Sequence, residues 1–264
     1  MGLAQLASSS GGWTIEDSSL DSRRFGRPVA RLTVRRGEPD HDDLVAAVRD
    51  HPADVLIARH PAELTWVPAA LARADRDVVA GGGLVYWAAP PGEPAPVDRP
   101  GIDVLDARAV PLVGAEDLVD DLVSDTFADY TSHYSFDPLF DAAGVLAGQS
   151  EWARSCLTAE HSSVLVLRVA GEPAGIATVA LEGDDVEILL AGVREAHRGR
   201  GSYAALLDAA RVWAHSLGAQ RVVISTQTHN VRVQRAWARA GWTPIDAFDT
   251  AHLVRHGLLS GATS

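Results

Sequence analysis

Hydrophobic and polar positions change period several times along the chain, and each change marks an element. VARLTV (29–34), ADVLIAR (53–59) and VVAGGGLVYWA (78–88) are short apolar runs bounded by turn residues, which predicts strands. Between them, HDDLVAAVRDH (41–51) and ELTWVPAALARA (63–74) carry apolar residues at helical spacing. AAPPGEPAPVDRPG (88–101) is rich in Pro and Gly and reads as a linker, placing a boundary near residue 95 between an α/β unit at 1–95 and a second unit at 102–264. In the second unit AEDLVDDLVSDTFADY (115–130) predicts a helix, 133–147 reads as loop, and QSEWARSCLTAE (149–160) resumes a helix. SVLVLRVA (163–170), AGIATVAL (174–181) and VEILLAGV (186–193) predict three strands with hairpin-sized connections. A helix follows with Tyr203, Leu206, Leu207, Ala210, Trp213 and Leu217 on one face, ended by Gly218. The strand RVVIST (221–226), a short helix through Trp237 closed by Gly241, and a last strand at 245–255 complete the pattern, with no internal repeat.

Composition narrows the chemistry. The chain has 264 residues and a formal net charge of −12, which argues against a nucleic-acid partner because phosphate polymers need a basic surface. The basic residues are unevenly spread: Arg194, Arg198, Arg200, Arg211, Arg221, Arg232, Arg235 and Arg239 face only Glu195 and Asp208 between 191 and 240. Such a local patch on an acidic protein suits a small anionic ligand. The lone Cys156 rules out an internal disulfide, and the ten histidines show no ligand spacing, so no metal is expected. No apolar run is long enough to span a bilayer, and the start lacks the blocks of a secretory signal, so the expected location is the cytoplasm.

HRGRGSY (197–203) lies between a strand ending at Val193 and the amphipathic helix. A helix N-terminus offers free N–H groups and the positive end of its dipole, Gly199 and Gly201 allow close backbone approach, and Arg198 and Arg200 add charge. This order of strand, glycine turn and helix predicts a phosphate site.

The stretch from Val193 to Trp242, with Arg198, Gly199, Gly201, Asn230 and the Gly241–Trp242 pair, resembles the acetyl-CoA-binding half of the GNAT acyltransferase superfamily. LDSRRFGRPVARL, SHYSFDP (132–138) and STQTHNVRVQRAW are similar to the dTDP-fucosamine acetyltransferase type of sugar-amine N-acetyltransferase. The resemblance implies an α/β GNAT fold, a mixed and mostly antiparallel sheet flanked by helices, preceded by a smaller GNAT-like N-terminal domain. It implies acetyl-CoA, or another short acyl-CoA, as co-substrate. The backbone of Ala191, Gly192 and Val193 and the loop Arg198, Gly199, Arg200, Gly201, Ser202 and Tyr203 would hold it, with Asn230 and Arg235 adding a hydrogen bond and charge. Asn also suits a helix N-cap, and both roles are compatible.

Transfer of an acyl group to an amine requires a neutral amine, a stabilised oxyanion and a proton for the thiolate. The strand end at Val193 would supply backbone donors, and Glu187 stands where histone-acetylating relatives carry a general base; the alternative is a solvated carboxylate beside Asp184 and Asp185. The family's usual acid, a tyrosine seven residues after the Asn, is here Trp237, whose indole donates a hydrogen bond but is no useful acid. Water, Ser225, Thr226, Tyr203 and Tyr134 are the remaining proton sources, and a loss of activity is the other outcome. His133, Tyr134, Phe136 and Asp137 form a loop whose rings and polar groups suit a sugar or nucleotide, unless they only close the core. The expected function is N-acetylation of a small amine, an amino sugar or nucleotide-linked amino sugar, with a homodimer as the candidate assembly. Alternatives are another amine (amino acid, antibiotic, polyamine or protein) or a noncatalytic CoA-binding protein.

Overall fold

The computed structural model describes residues 2–3, 6, 12–37, 40–93, 100–110 and 112–261. In chain order its elements are β1 (Trp13–Asp17), α1 (Ser19–Phe25), β2 (Val29–Val34), α2 (His41–Asp50), β3 (Val55–Pro61), α3 (Val67–Leu71), β4 (Asp77–Ala89) and β5 (Ile102–Asp106). Then come α4 (Leu112–Phe127), α5 (Ala142–Ser155), β6 (Ser162–Val169), β7 (Glu172–Glu182), β8 (Asp185–Val193), α6 (Ser202–Ser216), β9 (Arg221–Gln227), α7 (Val231–Arg239) and β10 (Thr243–Val254).

All ten strands form one sheet in the order β1-β2-β3-β10-β4-β9-β8-β7-β6-β5, antiparallel except for the β2–β3 and β8–β9 pairs. The last strand, β10, is inserted between β3 and β4 of the first unit, and β4 in turn pairs with β9 of the second. The two stretches that the linker separates in sequence therefore share one sheet, and neither closes its hydrogen-bond ladder without the other.

The helices cover both faces because the strands carry apolar residues on both. Alternate residues Leu165, Leu167, Val186, Ile188, Val222 and Ile224 pack under Ala205, Leu206, Ala210 and Ala214 of α6 and under Trp237 of α7. The opposite residues Val164, Val166, Ile176 and Leu190 pack under Val119, Leu122 and Val123 of α4 and Ala153 of α5. At the other end of the sheet Ala30, Leu32, Leu56, Ala58 and Leu253 meet Leu44, Val45 and Val48 of α2 and Ala70 and Leu71 of α3.

Two expected elements differ in extent. The helix expected at 63–74 is reduced to Val67–Leu71: Leu64 and Thr65 turn tightly on Pro61 and Glu63, and Asp75, at φ 53°, ends the run. The region 133–147 is not all loop. It holds a 3-10 turn at His133–Phe136, and α5 begins at Ala142 because the Asp141 carboxylate caps it, accepting from the Gly144 N–H at 2.7 Å. Gly144 and Gly148 hide that start from a propensity reading.

Candidate functional site

The β8–β9 pairing is short, running from Asp185–Arg221 to Ile188–Ile224, yet β8 continues to Val193 and β9 to Gln227. Past that point the strands part, and β8 backbone groups that would have faced β9 border an opening instead. A register shift in the β7–β8 ladder between Thr178 and Val179 falls at the same place, and the Leu190 N–H donates to Thr178 Oγ1 at 3.1 Å. The opening is the mouth of a cavity of about 1030 Å³.

One wall of the cavity is Ile188–Val193. Its floor is Arg198, Gly199, Gly201 and Tyr203 at the start of α6, and the far wall is Ser225, Thr226 and Asn230 with Arg235 and Trp237 of α7. Gly192 is required for closeness: a Cβ there would stand 2.1 Å from Thr126 Cγ2, because α4 crosses directly over β8. Gly201 is required for conformation, taking φ 81° as the residue that leads into α6, with open space where a Cβ would project.

A nucleotide-linked thioester fits these walls on an observation independent of any motif. Gly199 and Gly201, which line the cavity at φ 79° and 81°, leave open space where a Cβ would project, so an anion can approach the backbone at the α6 N-terminus. Ser202 Oγ beside them is buried, has no hydrogen-bond partner among the described residues and lies outside the cavity lining. Arg198 does less than its charge suggests, since its Nε donates to the Val193 carbonyl at 3.0 Å and so ties the loop to the end of β8. Arg200 is exposed and does not line the cavity, whereas Arg232, Arg235 and Arg239 do. Asn230 holds the expected cap, its Oδ1 accepting from the Val233 N–H at 3.4 Å while its Nδ2 donates to Thr226 Oγ1 at 3.0 Å, and it also lines the cavity. Thr126, Phe127 and Tyr130 of α4 complete the lining; α4 is legible as a helix, but nothing in its sequence says which strand it crosses.

Residues 116–242 match the family model described as Acetyltransferase (GNAT) family. These residues form a GNAT acetyltransferase segment of the chain. The chain is accordingly an acetyl-CoA-dependent N-acetyltransferase, and its mixed sheet flanked by helices is the GNAT fold. Among solved structures it resembles a GCN5-related N-acetyltransferase from Sphaerobacter thermophilus (18% identity, 92% of this chain and 77% of that one, TM-score 0.61). It also resembles one from Kribbella flavida (16%, 89% and 84%, TM-score 0.57) and a tandem GNAT protein from the clavulanic acid biosynthesis pathway (17%, 87% and 76%, TM-score 0.53). At these identities the likeness is one of fold. No curated protein sequence matches the chain.

In this GNAT segment Glu187 lies on β8 just before the strands part, opposite Val223 on β9, while its neighbour Ile188 joins the core beneath α6. The carboxylate is only 5% exposed, and its Oε2 accepts the Leu3 N–H at 2.9 Å. Burial pushes its pKa up, the Leu3 hydrogen bond opposes that, and Glu182 adds to it, leaving a value of about 7. It is therefore not the solvated strand carboxylate. Leu3 and Leu6 are buried in a cluster with Leu84, Tyr86, Ala88, Val223 and Phe248, so these two leucines cover this side of the sheet. Arg59 faces the same side, its Nε donating to Thr250 Oγ1 at 3.2 Å. Neither contact is visible in sequence.

The expected acceptor loop splits. Phe136 is exposed and stands near the His229 ring, 6.1 Å between centroids. His133, Tyr134 and Asp137 turn inward: Asp137 Oδ2 meets His252 Nδ1 at 2.9 Å, and His252 Nε2 meets His133 Nδ1 at 2.9 Å. Burial first, and His252 next, push the His133 pKa well below the usual range, so this ring stays neutral. Tyr134 donates to Asp21 Oδ1 at 3.1 Å and accepts from Arg31 at 3.0 Å. Burial alone would push the Asp21 carboxyl up, but the Arg31 charge and the hydrogen bonds from Ser18, Arg31 and Tyr134 outweigh it and hold it below the usual range. Asp21 is fully buried between Arg24 and Arg31, so Asp21→Ala strands the Arg31 charge and is expected to cost about 3–5 kcal/mol, read as a lower midpoint in urea unfolding.

Among the described residues there is no group of three potential metal ligands, and no helix is long and apolar enough to cross a membrane.

Proposed function

We propose that this chain transfers the acetyl group of acetyl-CoA to the primary amine of a small molecule, with Glu187 as the base that takes the amine's proton. The observation that carries this reading is the pair of sites flanking the parting of β8 and β9: a cavity ending at the α6 N-terminus on one side, and a desolvated carboxylate with a pKa of about 7 on the other. A base with that pKa is half ionised near neutrality, where it is both present and strong enough to take a proton. In the fit to acetyl-CoA, the α6 N-terminus with Gly199 and Gly201 faces the pyrophosphate, Arg235 adds charge, and β8 backbone donors face the thioester oxygen.

The acceptor class we propose is an amino sugar, free or nucleotide-linked, supported by the likeness of residues 132–138 and of LDSRRFGRPVARL to sugar-amine acetyltransferases. On this reading His133, Tyr134 and Asp137 serve the acceptor indirectly, by bonding the first unit in place beside Glu187, while Phe136 meets it at the surface. The test is a panel of amino sugars, sugar nucleotides, amino acids and polyamines with acetyl-CoA, read by thiol release. Turnover confined to amino sugars supports the acceptor class; turnover confined to other amines overturns it and keeps the reaction.

The seat of Leu3 adds a second expectation. Burying Leu3 and Leu6 contributes about 2 kcal/mol each, against about 1 kcal/mol for the Leu3–Glu187 hydrogen bond, so apolar contact holds the segment down. An amine reaching Glu187 must displace it. The double variant Leu3→Asp, Leu6→Asp is expected to lower the KM of the amine at least about threefold with the acetyl-CoA KM unchanged. An unchanged or higher amine KM means the segment does not stand in the acceptor's way.

A further inference from the structure

The substitution of Trp237 for the family's tyrosine leaves the departing sulfur without its usual proton donor, and the structure places another phenol against it. Trp237 is buried in the cavity wall, seated edge-on to Trp87 of β4 at 6.1 Å between centroids. Its indole N–H does not point at the cavity unaided: it donates to the Tyr203 hydroxyl at 3.0 Å. Tyr203, on the first turn of α6, also lines the cavity, so a hydroxyl reaches from the other helix to the tip of the tryptophan.

We propose that Tyr203 is the general acid for the CoA thiolate and that Trp237 is the residue that positions it. This rests on the acetyl-transfer reading above and goes beyond it in naming the acid. A phenol oxygen that accepts one hydrogen bond keeps its own proton to give, and among the described residues the Tyr203 hydroxyl makes no other hydrogen bond. Of the other hydroxyls at the cavity, Thr126 Oγ1 has no hydrogen-bond partner among the described residues, but it is an aliphatic alcohol and a far weaker acid than a phenol; the rest are bonded. Tyr130 bonds to Thr226 and to the Gln227 backbone, Thr226 accepts from Asn230, and Ser225 bonds to Tyr86. Tyr134 is bound to Asp21 and Arg31 and does not line the cavity.

The chemistry balances. The amine nitrogen adds to the thioester carbonyl, and the tetrahedral oxyanion so formed collapses as the C–S bond breaks, sulfur taking that bond's electron pair. The nitrogen's proton leaves through Glu187 to water, and the Tyr203 proton goes to sulfur. Tyr203 then recovers a proton from solvent. Burial pushes the Tyr203 pKa up, so the group is protonated at working pH, while the indole N–H opposes that rise by stabilising the phenolate as it forms. Trp237 so has a function that phenylalanine at the same place would lack.

Tyr203→Phe keeps the ring and removes the proton. It is expected to lower kcat on the order of a hundredfold and to leave the acetyl-CoA KM within about twofold. Trp237→Phe is expected to give a smaller loss in kcat alone. The double variant Tyr203→Phe, Trp237→Tyr returns a phenol to the family's position and is expected to recover most of the rate. A readout without turnover uses CoA itself: the ultraviolet absorbance of its bound thiolate is titrated in each protein. Loss of the donor in Tyr203→Phe raises the pH at which the bound thiol ionises by about one unit. Unchanged kcat, or a bound thiol that titrates identically with tight CoA binding retained, overturns the assignment to Tyr203. Failure of the parent protein to bind CoA at all instead overturns the cavity reading on which it rests.

Discussion

Gly201→Asp is expected to raise the acetyl-CoA dissociation constant at least about a hundredfold. Gly201 leads into α6 at φ 81°, where a side chain costs about 1–2 kcal/mol, and its missing Cβ faces open space at the helix N-terminus. A carboxylate placed there meets the pyrophosphate, and like charges in contact cost several kcal/mol more, which together pass a hundredfold. Gly201→Ala separates the two causes: it carries the backbone cost alone and is expected to weaken binding about tenfold. Calorimetric titration of both variants with acetyl-CoA checks the prediction. Gly201→Asp binding as tightly as the parent removes this loop from the site.

Glu187→Gln carries the other large effect, and its sign runs differently for rate and for stability. In the parent, kcat/KM with a small amine is expected to rise with pH through an inflection at about 7, where the base ionises. The Gln variant loses that inflection and about a hundredfold in rate near pH 8, and approaches the parent only where the amine deprotonates unaided. Stability follows the opposite course. Burial raises the folded-state pKa from 4.5 to about 7, so between those values the folded protein binds more protons than the unfolded chain, and stability falls as pH rises through that window. At about 1.4 kcal/mol per pH unit the fall is on the order of 3 kcal/mol by pH 8. Gln cannot ionise and lacks this slope. Urea unfolding at pH 5 and pH 8 should show the parent weakening relative to the variant; parallel curves mean that Glu187 is already ionised at pH 5.

The parts of this protein that were legible in sequence are those where one local pattern has one physical meaning. A strand, a glycine turn and an amphipathic helix at 186–217 specify their own geometry, and the cavity stands at that turn. Trp237 is likewise readable as a departure, because a side chain's capacity to give a proton does not depend on its surroundings. What the pattern could not hold is partnership between distant segments. β10 is readable as a strand, but alternation of side chains does not name its neighbours, and it lies between β3 and β4 rather than beside β9. His133, Tyr134 and Asp137 offer the same polar groups whether they meet a ligand or the chain; their partners His252, Asp21 and Arg31 lie more than a hundred residues away. Leu3 and Leu6 are two apolar residues in a short N-terminal run, and only the fold shows that they cover Glu187. The bond from Trp237 to Tyr203 joins two residues that each read alone as an apolar anchor.

The central claim is acetyl transfer from CoA to an amine nitrogen, and isotope tracing reads it directly. The parent protein is incubated with acetyl-CoA labelled in the acetyl carbonyl and with the amine that gives the fastest thiol release, and the products are resolved by mass spectrometry. The account predicts one labelled acetyl group on the amine as an amide for each thiol released, and loss of that product in Gly201→Asp. Thiol release with all the label recovered as free acetate, or no release with any amine despite tight CoA binding, would contradict it.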